Sequence, residues 1–193
     1  MNPSPQEIAE LVVAARDGDR SAFDELVRRT SAGTYTLALR LTNNEEDARD
    51  VTQEAYLRAY RGLKNYREEA QFTTWLYRIT ANCASTFITT RRRHRHDEMA
   101  DESQVPDVRA QSDLENAPAN SELRDQLEWA LAQLPPRLRA VVVLRDVYDL
   151  PHEAIAAELG ITVSAAKVRL HRARAKLRSL LYPEMDELDV RAV

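Results

Sequence analysis

The side chains best suited to recognition chemistry lie between residues 155 and 174, in the stretch IAAELGITVSAAKVRLHRAR. Ile155, Ala156 and Leu159 fall at helical spacing, Gly160 can turn the chain at positive φ, and Thr162 is a helix-capping residue for a second helix. At about 100° per residue that second helix places Ala166, Leu170, Ala173, Leu177 and Leu180 on one apolar stripe. Ser164, Val168, His171 and Arg172 fall opposite it, with Lys167 and Arg178 on one flank and Arg169 and Lys176 on the other. A helix of this kind suits a DNA major groove: short side chains near its N-terminus reach base edges while the flanking cations hold phosphates. An ordinary solvated surface helix would also carry Lys and Arg. It would not need the turn, the stripe and the cations to agree with one another.

A second concentration of charge is the run RRRHRH at 91–96, suited to sequence-independent contact with phosphates or simply to solvation. His94 and His96 stand two apart in an Arg-rich segment without another clear ligand, which does not make a metal site. No Gly-rich phosphate loop, paired metal-ligand motif or nucleophile–base constellation occurs, so the sequence points away from an enzyme and implies no cofactor. Cys83 is the single cysteine, which rules out an intrachain disulfide and reads as a small core residue.

These groups need helices to position them. With 193 residues, 4 Gly and 6% aromatic residues the composition favours helices. Helical stripes are predicted near 7–15, 21–41, 45–61 and 71–89, broken at Gly18-Asp19, Asn43-Asn44 and 62–70. Beyond residue 120, Leu123, Leu127, Ala130, Leu131 and Leu134 form a stripe that stops at Pro135-Pro136. A second helix carries Leu138, Val141, Val142 and Leu144, and Leu150-Pro151 opens the helix-turn-helix. Between the two helical blocks, residues 97–120 are rich in Asp, Glu, Ser, Asn and Gln and cannot bury enough apolar surface to fold alone.

The expectation is therefore an all-α chain: two small helical domains, 1–96 and 121–182, joined by a flexible acidic linker at 97–120 and ending in an acidic tail at 183–193. The C-terminal domain is the helix-turn-helix. The overall charge of −4 hides a segregation along the chain. The two helical blocks are mildly basic, while the linker and tail are acidic, as expected if both blocks contact DNA. No apolar run approaches the ~20 residues of a membrane span and the N-terminus lacks a signal-peptide layout, so a cytoplasmic protein without membrane insertion is expected.

Two blocks carry a resemblance. DVTQEAYLRAYR at 50–61, together with Tyr66-Arg67 and with FTTWLYRI at 72–79 and Asn82, resembles region two of bacterial sigma factors of the extracytoplasmic-function group. Leu134-Pro-Pro-Arg-Leu-Arg-Ala-Val onward to Arg174 resembles their region four. The resemblance implies a subunit that binds bacterial core RNA polymerase and directs it to promoter DNA, region four reading a minus-thirty-five element and region two melting a minus-ten element. Asp50, Gln53, Glu54 and Leu57 share one helix face, opposite Ala48, Val51, Ala55 and Ala59, and by resemblance that polar face docks on core polymerase.

Tyr66 and Asn82 match positions near a pocket for a flipped minus-ten base, for which an aromatic face and an amide edge are the right chemistry. Phe72, Trp75, Leu76, Ile79 and Cys83 read instead as a core stripe. Arg91 and Arg92 are expected on minus-ten phosphates. Ser164, Lys167, Val168, Arg169, His171 and Arg172 are expected on the minus-thirty-five element. Many relatives have Gly-Thr-Val where this chain has Ser164-Ala165-Ala166, so Lys167 and Arg172 carry more of the phosphate binding, and Val168 offers apolar contact to a thymine methyl.

By the same resemblance, Asp97, Glu98, Asp101, Glu102 and Asp107 of the linker would meet basic walls of a polymerase channel, and an anti-sigma factor is a possible partner. A stand-alone helix-turn-helix regulator is the alternative. The 50–61 and 66–82 blocks argue against it.

Overall fold

In the computed structural model the described residues are 4–98 and 121–183, with no description of the side chains of 92–98 and 121. Every regular element among them is helical. Of the expected flexible linker at 97–120, residues 97 and 98 instead continue a helix; 99–120, and the expected tail from residue 184 onward, lie outside the described residues.

Helix α1 (Pro5–Arg16) starts where Ser4 and Glu7 form a reciprocal capping box and Pro5 occupies the first turn. That is two residues earlier than the apolar periodicity alone indicates. Asp19 caps α2 (Arg20–Thr42), accepting from the amides of Ser21 and Ala22. Asn43 ends α2 in the left-handed region at φ 56°, and Asn44 caps α3 (Glu45–Gly62) by accepting from the Asp47 amide. The Asn43-Asn44 break predicted from sequence is thus a C-cap and an N-cap placed back to back. A 3-10 turn (Leu63–Asn65) leads to a loop and to α4 (Phe72–Glu98).

The end of α4 differs from expectation. Instead of stopping near residue 89 the helix continues through the 91–96 basic run, because neither Gly nor Pro interrupts the chain there and Arg is a good helix former. In the second block α5 (Ser121–Ala132) ends before Pro135, and α6 (Pro136–Val142) passes into a π-helical turn (Val143–Val147). Helices α7 (His152–Leu159) and α8 (Val163–Leu181) complete the block. Gly160 sits between them at φ 62°, and the Thr162 hydroxyl accepts from the Ala165 amide at 3.1 Å, as the turn chemistry predicted.

One apolar cluster joins Ile8 and Val12 of α1, Phe23 and Leu26 of α2, Ala59 and Leu63, and Phe72 and Leu76 of α4. The larger cluster runs through both blocks. Leu37 and Leu41 of α2, Val51 and Ala55 of α3 and Ala81, Cys83 and Ala84 of α4 belong to the same buried set as Leu134, Val141, Leu144, Ile155 and Leu170. The two helical domains therefore pack against each other, α7 on α4 and α6 on α2.

Burial pushes the Cys83 thiol up to about 11, with the Arg58 charge opposing the rise and the Glu54 charge adding to it. Its ordinary value is 9.0, so the folded chain holds the proton through a window in which the unfolded chain has lost it. Stability contributed by the neutral thiol is complete below pH 9 and is lost as pH rises toward 11. Native protein at pH 8 is expected to leave Cys83 unmodified by a thiol-reactive reagent, with one equivalent reacting after denaturation. Rapid modification of the native chain would show that the site opens.

Candidate nucleic-acid interface

In α8 the apolar stripe is buried at Ala166, Leu170 and Ala173, and this burial fixes the orientation of the opposite face. Ser164, Lys167, Val168, His171 and Arg172 are exposed and Arg169 is half-buried. Val168 is 50% exposed at the centre of this surface, an apolar tip with no partner inside the fold. Lys167, Arg169 and Arg172 enter no ion pair among the described residues, so their charge is available outward. Arg174, one turn further on, is engaged instead by Asp146 through bonds of 2.9 and 2.6 Å. All six predicted α8 residues thus share one helix segment, on which the cations Lys167, Arg169 and Arg172 alternate with Ser164, Val168 and His171.

On α3 the periodicity also holds. Ala48, Val51, Ala55 and Ala59 are buried, while Asp50, Gln53 and Leu57 are exposed and Glu54 is half-buried. Leu57 stands 44% exposed among polar neighbours. An aliphatic side chain rimmed by Asp50, Gln53 and Glu54 is a suitable centre for a protein contact.

The minus-ten candidates are dispersed. Tyr66 is only 8% exposed: its ring packs edge-on against Phe72 with centroids 6.1 Å apart and lies 4.9 Å from Trp75, and its hydroxyl donates to the Ala70 carbonyl. It lines a cavity of about 460 Å³ with Ile8, Arg29, Thr30, Gln71 and Phe72. Asn82 does not line that cavity. It lies ten residues beyond Phe72, about 15 Å along α4. There it is half-buried, and its Oδ1 accepts from Arg58 Nη1 at 3.1 Å. Arg91 is half-exposed and paired with Asp47 of α3, and the Arg92 side chain falls outside the described set.

Sequence reasoning missed Arg58 and Asp47. The i,i+4 spacing of Glu54 and Arg58 is legible, and the pair forms, with Nε to Oε1 at 2.6 Å. The link from Arg58 to Asn82 crosses between helices and leaves no mark in the local pattern. Trp75 and Ile79 pack at the edge of the core, consistent with the stripe that assigned them there. Among the described residues no group of three or more His, Cys, Asp or Glu could hold a metal ion, and no helix is long and apolar enough to cross a membrane.

Comparison with known proteins places both halves of the chain. The Sigma-70 region 2 family matches residues 26–94, covering α3 and most of α4, and the Sigma-70 region 4 family matches residues 124–177, covering the helix-turn-helix. The chain is 36% identical over 191 residues to the ECF RNA polymerase sigma factor SigE of Mycolicibacterium smegmatis, covering 97% of this chain and 73% of that protein. It is 34% identical to the RNA polymerase sigma-H factor of Pseudomonas aeruginosa, covering 92% and 95%. Against the ECF RNA polymerase sigma-E factor of Escherichia coli strain K12 the identity is 31%, covering 90% and 93%.

Among solved structures the fold matches CnrH in complex with the cytosolic domain of CnrY, with a TM-score of 0.56 and 27% identity over 92% of this chain and 97% of that one. The sigma factor RpoE from Bartonella quintana, in complex with the anti-sigma factor NepR, shares the fold at a TM-score of 0.59 and 22% identity, covering 82% and 96%. With region 2 and region 4 in order along one chain, and identity above 30% to relatives spanned over most of their length, this protein belongs to the ECF RNA polymerase sigma factors and directs promoter-specific transcription initiation through RNA polymerase.

Proposed function

We propose a division of labour along the chain in which the exposed edge of α3 docks on core polymerase, α4 and its surroundings hold the melted minus-ten strand, and α8 reads duplex DNA at the minus-thirty-five element. The observation that supports this most is that the apolar faces of α3 and α8 are both buried while their polar faces stand open. Asp50, Gln53 and Leu57 are exposed on α3, and Ser164, Lys167, Val168, His171 and Arg172 on α8. One group around an aliphatic centre suits a protein, and the other, cationic around an apolar tip, suits a major groove. The chain itself supplies binding and strand selection, and bond formation belongs to the polymerase. The linker carboxylates would then face the enzyme's channel, and an anti-sigma factor, a kind of partner with which RpoE is found in complex, would act by covering these same open faces.

The test is reconstitution of the purified chain with bacterial core RNA polymerase and run-off transcription across a promoter library. Initiation that depends on the chain supports the proposal and yields the promoter sequence. Tight duplex binding without core association would replace it with a stand-alone regulator. In the same assay Lys167→Ala and Arg172→Ala are each expected to lower affinity for all minus-thirty-five sequences and to flatten the log–log salt slope by about one unit. Val168→Ala is expected to change which sequences are preferred at unchanged salt slope.

A further inference from the structure

We propose that Arg58 is a positioning residue that sets which edge of the Asn82 carboxamide faces the minus-ten strand, and so helps to determine base preference there. The proposal rests on the reading of Asn82 as a base contact. Arg58 Nη1 lies 3.1 Å from Asn82 Oδ1, and Arg58 Nε lies 2.6 Å from Glu54 Oε1. A guanidinium carries only donors, so the amide atom that faces it must be the carbonyl oxygen. Turning the amide over would set N–H against N–H in a half-buried site and leave the carbonyl without its partner. The Nδ2 group is therefore held away from Arg58. It donates to nothing among the described residues.

Asn82 thus turns its two Nδ2 donors away from Arg58, while its oxygen faces the guanidinium with one lone pair already occupied. A free asparagine side chain can match adenine by donating and accepting at once. A carboxamide whose oxygen is turned toward Arg58 and already accepts one bond is poorly placed to do so, and better suits a base edge made of acceptors, such as O2 and N3 of cytosine, or O6 and N7 of guanine. The Glu54 carboxylate holds Arg58 in place from the other side, and the salt bridge with Glu54 together with its charge raises the Arg58 pKa, keeping the guanidinium charged. Glu54 stands on the α3 edge assigned to the polymerase, so the same three side chains run from that edge to the base-reading amide. Asn82 is displayed on α4, 24 residues from Arg58. Only the packing of α3 on α4 brings them together.

The experiment uses the full chain bound to core polymerase and measures its affinity for single-stranded minus-ten oligodeoxynucleotides in which each position carries each of the four bases in turn. The wild-type complex is expected to disfavour adenine at one position by about tenfold relative to an acceptor-edged base. Asn82→Ala should flatten the profile at that position alone. Arg58→Met, which keeps a long apolar stem and removes the donors, should relax the adenine discrimination at the same position while leaving the other positions unchanged. Arg58→Lys, which still donates, should retain it.

A flat response to Asn82→Ala at every position would remove the base-contact reading and the proposal with it. A profile altered by Asn82→Ala but untouched by Arg58→Met would leave Asn82 as a base contact and overturn the role of Arg58. A uniform loss across all positions in Arg58→Met would mark Arg58 as structural and equally overturn it.

Discussion

A chain carrying Tyr148→Ala together with Arg40→Glu is expected to open, its radius of gyration rising from near the ~16 Å of a compact 193-residue protein to more than about 25 Å in solution scattering. The two domains share a buried apolar core, and specific polar and aromatic contacts flank it. Arg40 of α2 donates from Nε to both carboxylate oxygens of Glu128 in α5, at 2.9 and 3.2 Å, and Arg78 of α4 reaches Glu158 of α7 at 3.0 Å. Burial lowers the Arg40 pKa, but the bond and charge of Glu128 outweigh it, so the guanidinium is held charged.

Between these bridges Tyr148 packs edge-on against Tyr77, with centroids 4.6 Å apart, and its hydroxyl donates to the Gly33 carbonyl at 3.5 Å. A Cβ on Gly33 would lie 2.8 Å from the Tyr77 hydroxyl, so any larger residue there would force the Tyr77 ring to shift. Burial pushes the Tyr148 phenol up to about 12, keeping it a neutral donor. Arg40→Glu would place two carboxylates opposite each other in a partly desolvated contact, and Tyr148→Ala would remove the wedge beside it.

The functional consequence is one of scale. On the proposed assignment the two promoter elements lie about 25 base pairs apart, or ~85 Å at 3.4 Å per base pair. With α7 packed on α4 and α8 on α7, at 8–10 Å per helix layer, the recognition helix stands only about 20 Å from α4. A chain that reads both elements must therefore part this interface. The opened variant is expected to bind promoter DNA with core polymerase at least as well as wild type. An unchanged radius of gyration would show that other contacts hold the domains together.

Leu76→Ala is expected to cost about 2–5 kcal/mol, a large share of the 5–15 kcal/mol typical of a folded domain. Leu76 is fully buried in α4, within the cluster formed by Ile8, Val12, Phe23 and Leu26. Truncation leaves a cavity between three helices that cannot readily close. Leu57→Ala provides the contrast. At 44% exposure on α3 its loss should change stability by no more than about 0.5 kcal/mol while weakening core polymerase binding. Denaturant unfolding and a core-binding titration on both variants separate the two roles. A stability loss at Leu57 equal to that at Leu76 would remove Leu57 from the docking face.

The features legible in the sequence were local. The Gly160 turn, the Thr162 cap, the buried stripe of α8 and the two faces of α3 all depend on residues within a few positions of one another, and each formed as its spacing indicated. The 50–61 and 134–174 motifs carried the family for the same reason: they are contiguous. Tyr66, expected near a pocket for a flipped base, lines a cavity while its ring packs against Phe72 and Trp75. Arg91, expected on phosphates, is paired with Asp47, 44 residues away. Arg40 meets Glu128 across 88 residues and Arg58 meets Asn82 across 24.

The chain by itself thus determined which helices form and which face of each is apolar, because hydrogen bonding and side-chain periodicity within a helix reach only three or four residues. Which polar side chains stay open and which are engaged was decided only by the tertiary packing, because the partner that neutralises a charge or orients an amide comes from another helix, at a distance and angle set by how their surfaces interlock.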